Sequence, residues 1–382
     1  MLAKRLSNLH PYVPGEQPKD RDYIKLNANE NPYPPHKSVG EAVAKAAEEN
    51  LSKLGLYPDP DSTELRKAIA KMLNETGGVF CNTKIEGEKC TPDEKDRIPF
   101  EVTPEMIFCG NGSDEVLSFV FYTFFDSDRP LIFPNFTYSF YPVYCGYYNI
   151  PMMQVPLKSD WTLDSGRMIE EAQKNDSGII FANPNAPTGI SMNRSDVADM
   201  IRRAPKDRIF IVDEAYCDFG GESCLPLLKD FKNLVIVRTF SKSLSFAGMR
   251  LGYVVSSPEL IQAVFTVKNS FNHFPVDFLA QTAAIASCKS CWYYAENAKK
   301  VARDRDDFAS FLKEHGYFVI DSTTNFVFTK KEGHTGEELY QAVKKAGILI
   351  RHFNTPGIED FVRITIGTPS QMQALKSVME KI

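Results

Sequence analysis

Residues 238–253 read RTFSKSLSFAGMRLGY. A single lysine, Lys242, stands between two serines just past the run NLVIVRTF (233–240), with Arg250 eight residues on. A run this apolar and β-branched predicts a strand buried on both faces, as in a parallel sheet. Lys242 then emerges at the strand's carboxyl end, where open α/β sheets bind their ligands. An amine taken out of water there becomes a nucleophile toward carbonyl groups. An arbitrary lysine is a solvated surface residue, so the neighbouring segments have to decide.

Upstream, RIFIVDEAYCDF (208–219) predicts another buried strand, ending at Asp213 with Tyr216 three residues later. Asp213 and Lys242 lie 29 residues apart, about one strand–helix–strand unit. Both side chains can therefore face one crevice. In EMIFCGNGSDEVLSF (105–119) a short apolar strand runs into Gly110, Asn111 and Gly112, and Ser113 and Asp114 open a helical pattern. That arrangement aims backbone N–H groups and a helix dipole at an anion, although Ser-Asp-Glu at a helix start is also ordinary capping. Ser241 and Arg250 add donors, and arginine is a natural phosphate clamp. A lysine for an imine, a carboxylate for a ring nitrogen and a phosphate cup together suit pyridoxal phosphate.

With these pieces in order, the chain resembles the fold-type I pyridoxal-phosphate aminotransferases, and within them the histidinol-phosphate aminotransferases. The resemblance runs along nearly the whole sequence: LNANENPYPP (26–35), YPDPDSTELR (57–66), GNGSDE (110–115), FTYSFY (136–141), NPNAPTG (183–189), DEAY (213–216), SKSLSFAGMRLGY (241–253), NF (325–326), LIRHF (349–353) and VRITIGT (362–368). It implies that Lys242 holds the cofactor as a Schiff base and carries the proton between substrate Cα and cofactor C4′. Asp213 would bind the ring nitrogen, Tyr216 the phenolic oxygen, and Tyr138 would stack on the ring. Backbone groups of Ser113 and Asp114, with Ser241 and Arg250, would hold the phosphate, joined by Tyr57 of the other subunit. The active site would thus belong to a homodimer.

Two positions depart from the family pattern. Where the family usually reads Asn-Pro-Thr-Gly, with an asparagine amide reaching the phenolic oxygen, this chain has Ala186. Asn185 is the nearest amide and is carried as its substitute, although alternation along an extended segment points it the other way. Ser245 stands where many relatives carry glycine. Substrate recognition is expected from Arg351 and Arg363, at the ends of the β-rich runs GILIRHF and FVRITIG. The resemblance assigns these arginines to the phosphate of histidinol phosphate, which has no α-carboxylate, with Tyr33 closing over the same pocket.

A chain of 382 residues has room for about two domains. The expected organisation is an N-terminal arm (1–40), a large mostly parallel α/β cofactor domain (41–265) and a small C-terminal α+β domain (266–382) completed by the arm. Helical signals run through KSVGEAVAKAAEENLSKL, residues 63–73 and AENAKKVARDRDDFASFLKEHG. A hydrophobic content of 43% and a net charge of −5 fit a globular protein and offer no case for a nucleic-acid partner. No run approaches a membrane span, and MLAKRLSNLHPYVPGE lacks a signal-peptide core, so a cytoplasmic location is expected. Eight scattered cysteines suit a reducing compartment, and neither metal nor redox chemistry is expected of Cys288 and Cys291. The polar segment 77–105 reads as a surface insertion.

The expected activity is transfer of an amino group between histidinol phosphate and imidazole-acetol phosphate, with glutamate and 2-oxoglutarate as the other pair, in histidine biosynthesis. An aromatic aminotransferase or a threonine-phosphate decarboxylase on the same scaffold is the nearer alternative. A cofactor-binding regulator is the distant one, for which the short arm leaves no room for a DNA-binding module.

Overall fold

The computed structural model describes residues 6, 9–12 and 15–382. Its centre is a seven-stranded sheet in the order Ile107–Gly110, Gly252–Val255, Leu234–Thr239, Phe210–Asp213, Ile179–Ala182, Leu131–Pro134, Met152–Val155. From Leu234–Thr239 to Met152–Val155 every neighbouring pair is parallel, whereas Gly252–Val255 runs antiparallel to both its neighbours. The continuous apolar runs follow from this placement. All six residues of Leu234–Thr239 and all four of Phe210–Asp213 are buried, because helices cover both faces.

Alternate side chains divide between two cores. On one face Ile211, Val235 and Val237 pack with Val116, Val120 and Ile261 from the helices Gly112–Phe124 and Pro258–Phe271. On the other, Val212, Leu234 and Ile236 join residues of Thr63–Thr76, Arg194–Arg203 and Phe278–Lys289. Register aligns Ala182 with Asp213 and Asp213 with Val237, so the carboxyl ends of three adjacent strands share one edge.

After the long helix Cys291–Glu314 comes a second, antiparallel sheet in the order Tyr317–Ile320, Phe326–Lys331, Val362–Thr365, Arg351–His352. The N-terminal strand Ile24–Lys25 pairs in parallel with Ile348–Leu349, and Leu26 O accepts from Thr365 N at 2.9 Å. The arm is thereby laced to the small sheet before it reaches the large one.

Segment 77–105 is anchored rather than draped on the surface as expected. It forms a hairpin, Lys84–Glu86 with Lys89–Thr91, and its ends carry buried polar contacts. Asp96 is fully buried against Arg194 Nη2 at 2.7 Å, and Gly78 O accepts from Arg238 Nη1 at 2.7 Å. None of the described helices is long and apolar enough to cross a membrane.

Candidate active site

The aligned strand ends open onto a cavity of about 1600 Å³. Lys242, Tyr216, Tyr138, Asp114, Arg351 and Arg363 all line it, and the N-terminal arm closes it with Tyr12 and residues 27–29. Lys242 is half-buried, its Nζ donates to Ala28 O at 3.2 Å, and it lies 5.6 Å from the centre of the Tyr216 ring. Asn31 Nδ2 reaches both Lys242 O and Ser243 O at 3.1 Å. Ser243 Oγ donates to Asp218 Oδ2 at 2.5 Å, and Arg238 Nη2 donates to Asp218 Oδ1 at 3.0 Å. The turn that carries the lysine is therefore clamped on both sides.

Asp213 is buried beside the cavity rather than lining it. Its Oδ2 accepts from Tyr141 Oη at 2.9 Å and its Oδ1 from Ala215 N at 3.1 Å. Burial pushes its carboxyl up to about 6; these hydrogen bonds offset part of the effect, and the negative charges of Asp114 and Glu214 add to it. Such a carboxylate is under-compensated and is suited to a cationic N–H partner.

At the other end of the sheet edge the turn Gly110–Gly112 leads into the helix Gly112–Phe124. Asn111 makes no side-chain capping bond there, so the first amides of the helix stay available to an anion. A Cβ at Gly112, which has φ +84°, would lie 2.5 Å from Arg250 Nη2. One at Gly252 would lie 2.4 Å from Ser113 N. Both glycines are needed for the helix start, the strand and the guanidinium to close into one cup. Ser241 Oγ is buried beside them with no hydrogen-bond partner among the described residues. Ser245, at φ +60°, occupies a conformation that favours glycine.

Asp114 is a joint within this cup. Its Oδ2 accepts from Arg250 Nη2 at 2.7 Å and its Oδ1 from Tyr138 Oη at 2.6 Å. Burial and then the Asp114 charge push the Tyr138 phenol well above its ordinary range, so this hydroxyl stays a donor. Its ring is held between Phe140 and Tyr141.

Arg351 and Arg363 are direct cross-strand partners. Like charges so placed repel unless an anion lies between them. Arg363 stacks against Phe326 and Phe353, and its buried Nε has no hydrogen-bond partner among the described residues. Burial above all, with Arg351 adding to it, lowers its pKa, while Tyr216 and Tyr12 act in the opposite sense.

The pattern of the aminotransferase class I and II family matches residues 21–378. The chain belongs to that family. It is 45% identical over 383 residues to a histidinol-phosphate aminotransferase of Syntrophus aciditrophicus, covering all of this chain and 98% of the relative. A histidinol-phosphate aminotransferase of Acinetobacter baylyi is 40% identical over 99% of this chain and 96% of its own length. Among solved structures, the histidinol-phosphate aminotransferase of Sinorhizobium meliloti in complex with pyridoxal-5'-phosphate shares the fold, with a TM-score of 0.78 at 24% identity over 94% of this chain and 91% of that one.

Three expected site residues of this aminotransferase stand away from the cavity of their own chain. Asn185 lines a separate cavity of about 350 Å³. Its Nδ2 is committed to Phe136 O at 2.9 Å and Thr188 Oγ1 at 3.0 Å, whereas Ala186 lines the large cavity. Alternation thus outweighs the chemical similarity that nominated Asn185. Tyr33 also lies elsewhere, because Asn31 is the anchoring residue of the arm. The Asn31 side chain turns toward Lys242 and the Tyr33 ring turns out toward Lys300, 5.4 Å away. Tyr57 is 82% exposed and stacks on Phe274 at 4.5 Å.

Tyr141, Asn31 and Asn29 were not singled out from sequence. Tyr141 lies within the quoted FTYSFY, and the two asparagines within NANEN. Their polar groups amid otherwise apolar or turn-forming surroundings were the available signal.

Proposed function

We propose that this aminotransferase uses pyridoxal phosphate to interconvert histidinol phosphate and imidazole-acetol phosphate, with glutamate and 2-oxoglutarate as the second pair, in histidine biosynthesis. The observation that carries the substrate assignment is the register pair Arg351 and Arg363, with the buried unpartnered Nε of Arg363, in the same cavity as Lys242. It is a second anion site, separate from the cup at the helix start. The names of the full-length relatives agree with it.

The residues present fit the cofactor. Ser241 Oγ, Arg250 and the first amides of Gly112–Phe124 would hold its phosphate. Asp213 would hold its ring nitrogen, Tyr216 its phenolic oxygen, and Tyr138 would pack on its ring. When bound, pyridoxal phosphate supplies an electron sink for the electrons released at the substrate's Cα. Lys242 Nζ, within reach of the arm carbonyl of Ala28, takes and returns the Cα proton. Arg351 and Arg363 orient the amine by its phosphate, and the arm residues over the cavity exclude water.

The active unit in this proposal is a homodimer in the cytoplasm. Leu51, Leu56 and Tyr57 are between 68% and 82% exposed, an apolar run that a partner subunit would cover. Tyr57 would then reach the partner's phosphate cup. The eight cysteines are free thiols, in keeping with a reducing compartment.

Steady-state kinetics of Arg351→Ala and Arg363→Ala test the substrate. A charge-assisted hydrogen bond contributes about 1.5 to 3 kcal/mol, so kcat/KM for histidinol phosphate should fall roughly ten- to a hundredfold or more per arginine. An unphosphorylated aromatic amino acid should lose much less. Equal losses for both donors would overturn the phosphate assignment, and carbon dioxide release from threonine phosphate would move the chain to decarboxylation.

A further inference from the structure

Tyr216 lines the cavity, and its hydroxyl receives a hydrogen bond from Asn29 Nδ2 at 2.9 Å. Asn29 belongs to the arm, is 1% exposed, and has φ +54°, a left-handed conformation that asparagine tolerates. Its remaining polar groups are engaged. Its N–H donates to Thr365 Oγ1 at 2.9 Å, its Oδ1 lies 3.1 Å from the same hydroxyl, and its carbonyl accepts from Asn325 Nδ2 at 3.0 Å. This network orients the amide. Thr365 Oγ1 accepts the Asn29 N–H and has its own proton to give, so the amide atom beside it is the oxygen and the nitrogen faces Tyr216.

An amide N–H only donates. It fills one lone pair of the Tyr216 oxygen and leaves the phenolic proton to be given elsewhere. We propose that Asn29 is a positioning residue that commits Tyr216 to donate into the cavity, toward the phenolic oxygen of bound pyridoxal phosphate, and so sets the pH at which the nitrogen joining Lys242 to the cofactor loses its proton. This inference rests on the reading that Tyr216 faces that oxygen. A donor at the oxygen draws electron density from it and weakens its hold on the shared proton, so the nitrogen deprotonates at lower pH. Loss of the donor raises the midpoint.

Among the described residues, the titratable and charged groups that line the cavity with Lys242 and Tyr216 include Asp114, Tyr138, Tyr147 and Tyr148 on the large-domain side, Arg351, His352 and Arg363 in the small sheet, and His10, Tyr12 and Lys25 in the arm, with Arg250 and Asp213 beside Asp114. Asn29→Gly leaves all of them in place and keeps the left-handed backbone accessible. Asn29→Asp replaces the donor by an acceptor that competes for the Tyr216 proton.

The experiment is a pH titration of the visible absorption of the cofactor-loaded protein. Tyr216→Phe should raise the midpoint by about one to two pH units. Asn29→Gly should raise it by roughly half that, and Asn29→Asp should approach the Tyr216→Phe value. An unmoved midpoint in Tyr216→Phe would overturn the underlying reading of Tyr216. A shift in Tyr216→Phe with wild-type midpoints in both cofactor-loaded Asn29 variants would overturn the role of Asn29 alone. Should neither Asn29 variant fold, Thr365→Val, which removes the hydroxyl that orients the amide, decides: an upward shift supports the proposal and a wild-type midpoint overturns it.

Discussion

Replacing Asp213 by asparagine should stabilise the cofactor-free protein at neutral pH while impairing the loaded enzyme. Asp213 carries its charge in a buried setting, with Tyr141 and the Ala215 amide as hydrogen-bond donors and no cationic partner among the described residues. Its carboxyl is raised from 3.8 to about 6. A carboxyl with a raised folded pKa contributes stability below its unfolded value, and that contribution is lost as the pH rises through the folded value. The window here runs from about pH 4 to about pH 6. A displacement of roughly two pH units corresponds to about 3 kcal/mol. An asparagine side chain can keep one of the two hydrogen bonds, and rearranging the Tyr141 hydroxyl costs about 1 kcal/mol. The net expectation is that cofactor-free Asp213→Asn exceeds the cofactor-free wild type by about 1 to 2 kcal/mol at pH 8, with the advantage vanishing or reversing at pH 4.5. Equilibrium denaturation of both cofactor-free proteins across that range measures it. A difference between the two that does not change with pH would refute the reasoning, because it would mean that the Asp213 charge is already compensated. Added cofactor should stabilise the wild type more than the variant, since the ring nitrogen supplies the missing cation.

Lys242→Ala should lower turnover by about a thousandfold or more and abolish the visible absorption band that pH shifts in the wild type; wild-type transamination would remove Lys242 from its role. Subunit exchange between Lys242→Ala and an impaired Tyr57→Ala variant should restore activity, because one of the two composite sites regains both residues, and no recovery after verified exchange would count against a shared site. Gly112→Ala should weaken cofactor binding about tenfold or more, since the added Cβ would lie 2.5 Å from Arg250 Nη2 at a φ of +84°; an unchanged dissociation constant by fluorescence titration would remove Arg250 from the phosphate cup.

How much of this site could be read from the chain depends on the range of the interaction. The strands around Asp213 and Lys242 were legible because burial on both faces writes itself locally as an apolar run. The cup at Gly110–Gly112 was legible for a similar reason, since a strand, a glycine turn and a helix start are contiguous. Alternation along 183–189 was also local, and it places Ala186 rather than Asn185 at the large cavity. Asn29 is a different case. Its partners Tyr216 and Thr365 lie 187 and 336 residues away, and nothing in the spacing of NANEN tells which asparagine turns inward. Asn31 and Tyr33 divide in the same way, one toward Lys242 and the other toward the long helix, according to how the arm is laced to the small sheet. The polarity of the Tyr216 hydroxyl is therefore a property of the tertiary network: it depends on an amide whose orientation is set by a threonine on another sheet. A substitution at Thr365, which lies in the run that carries Arg363 and not beside any residue assigned to the cofactor, can accordingly reach that chemistry through two hydrogen bonds.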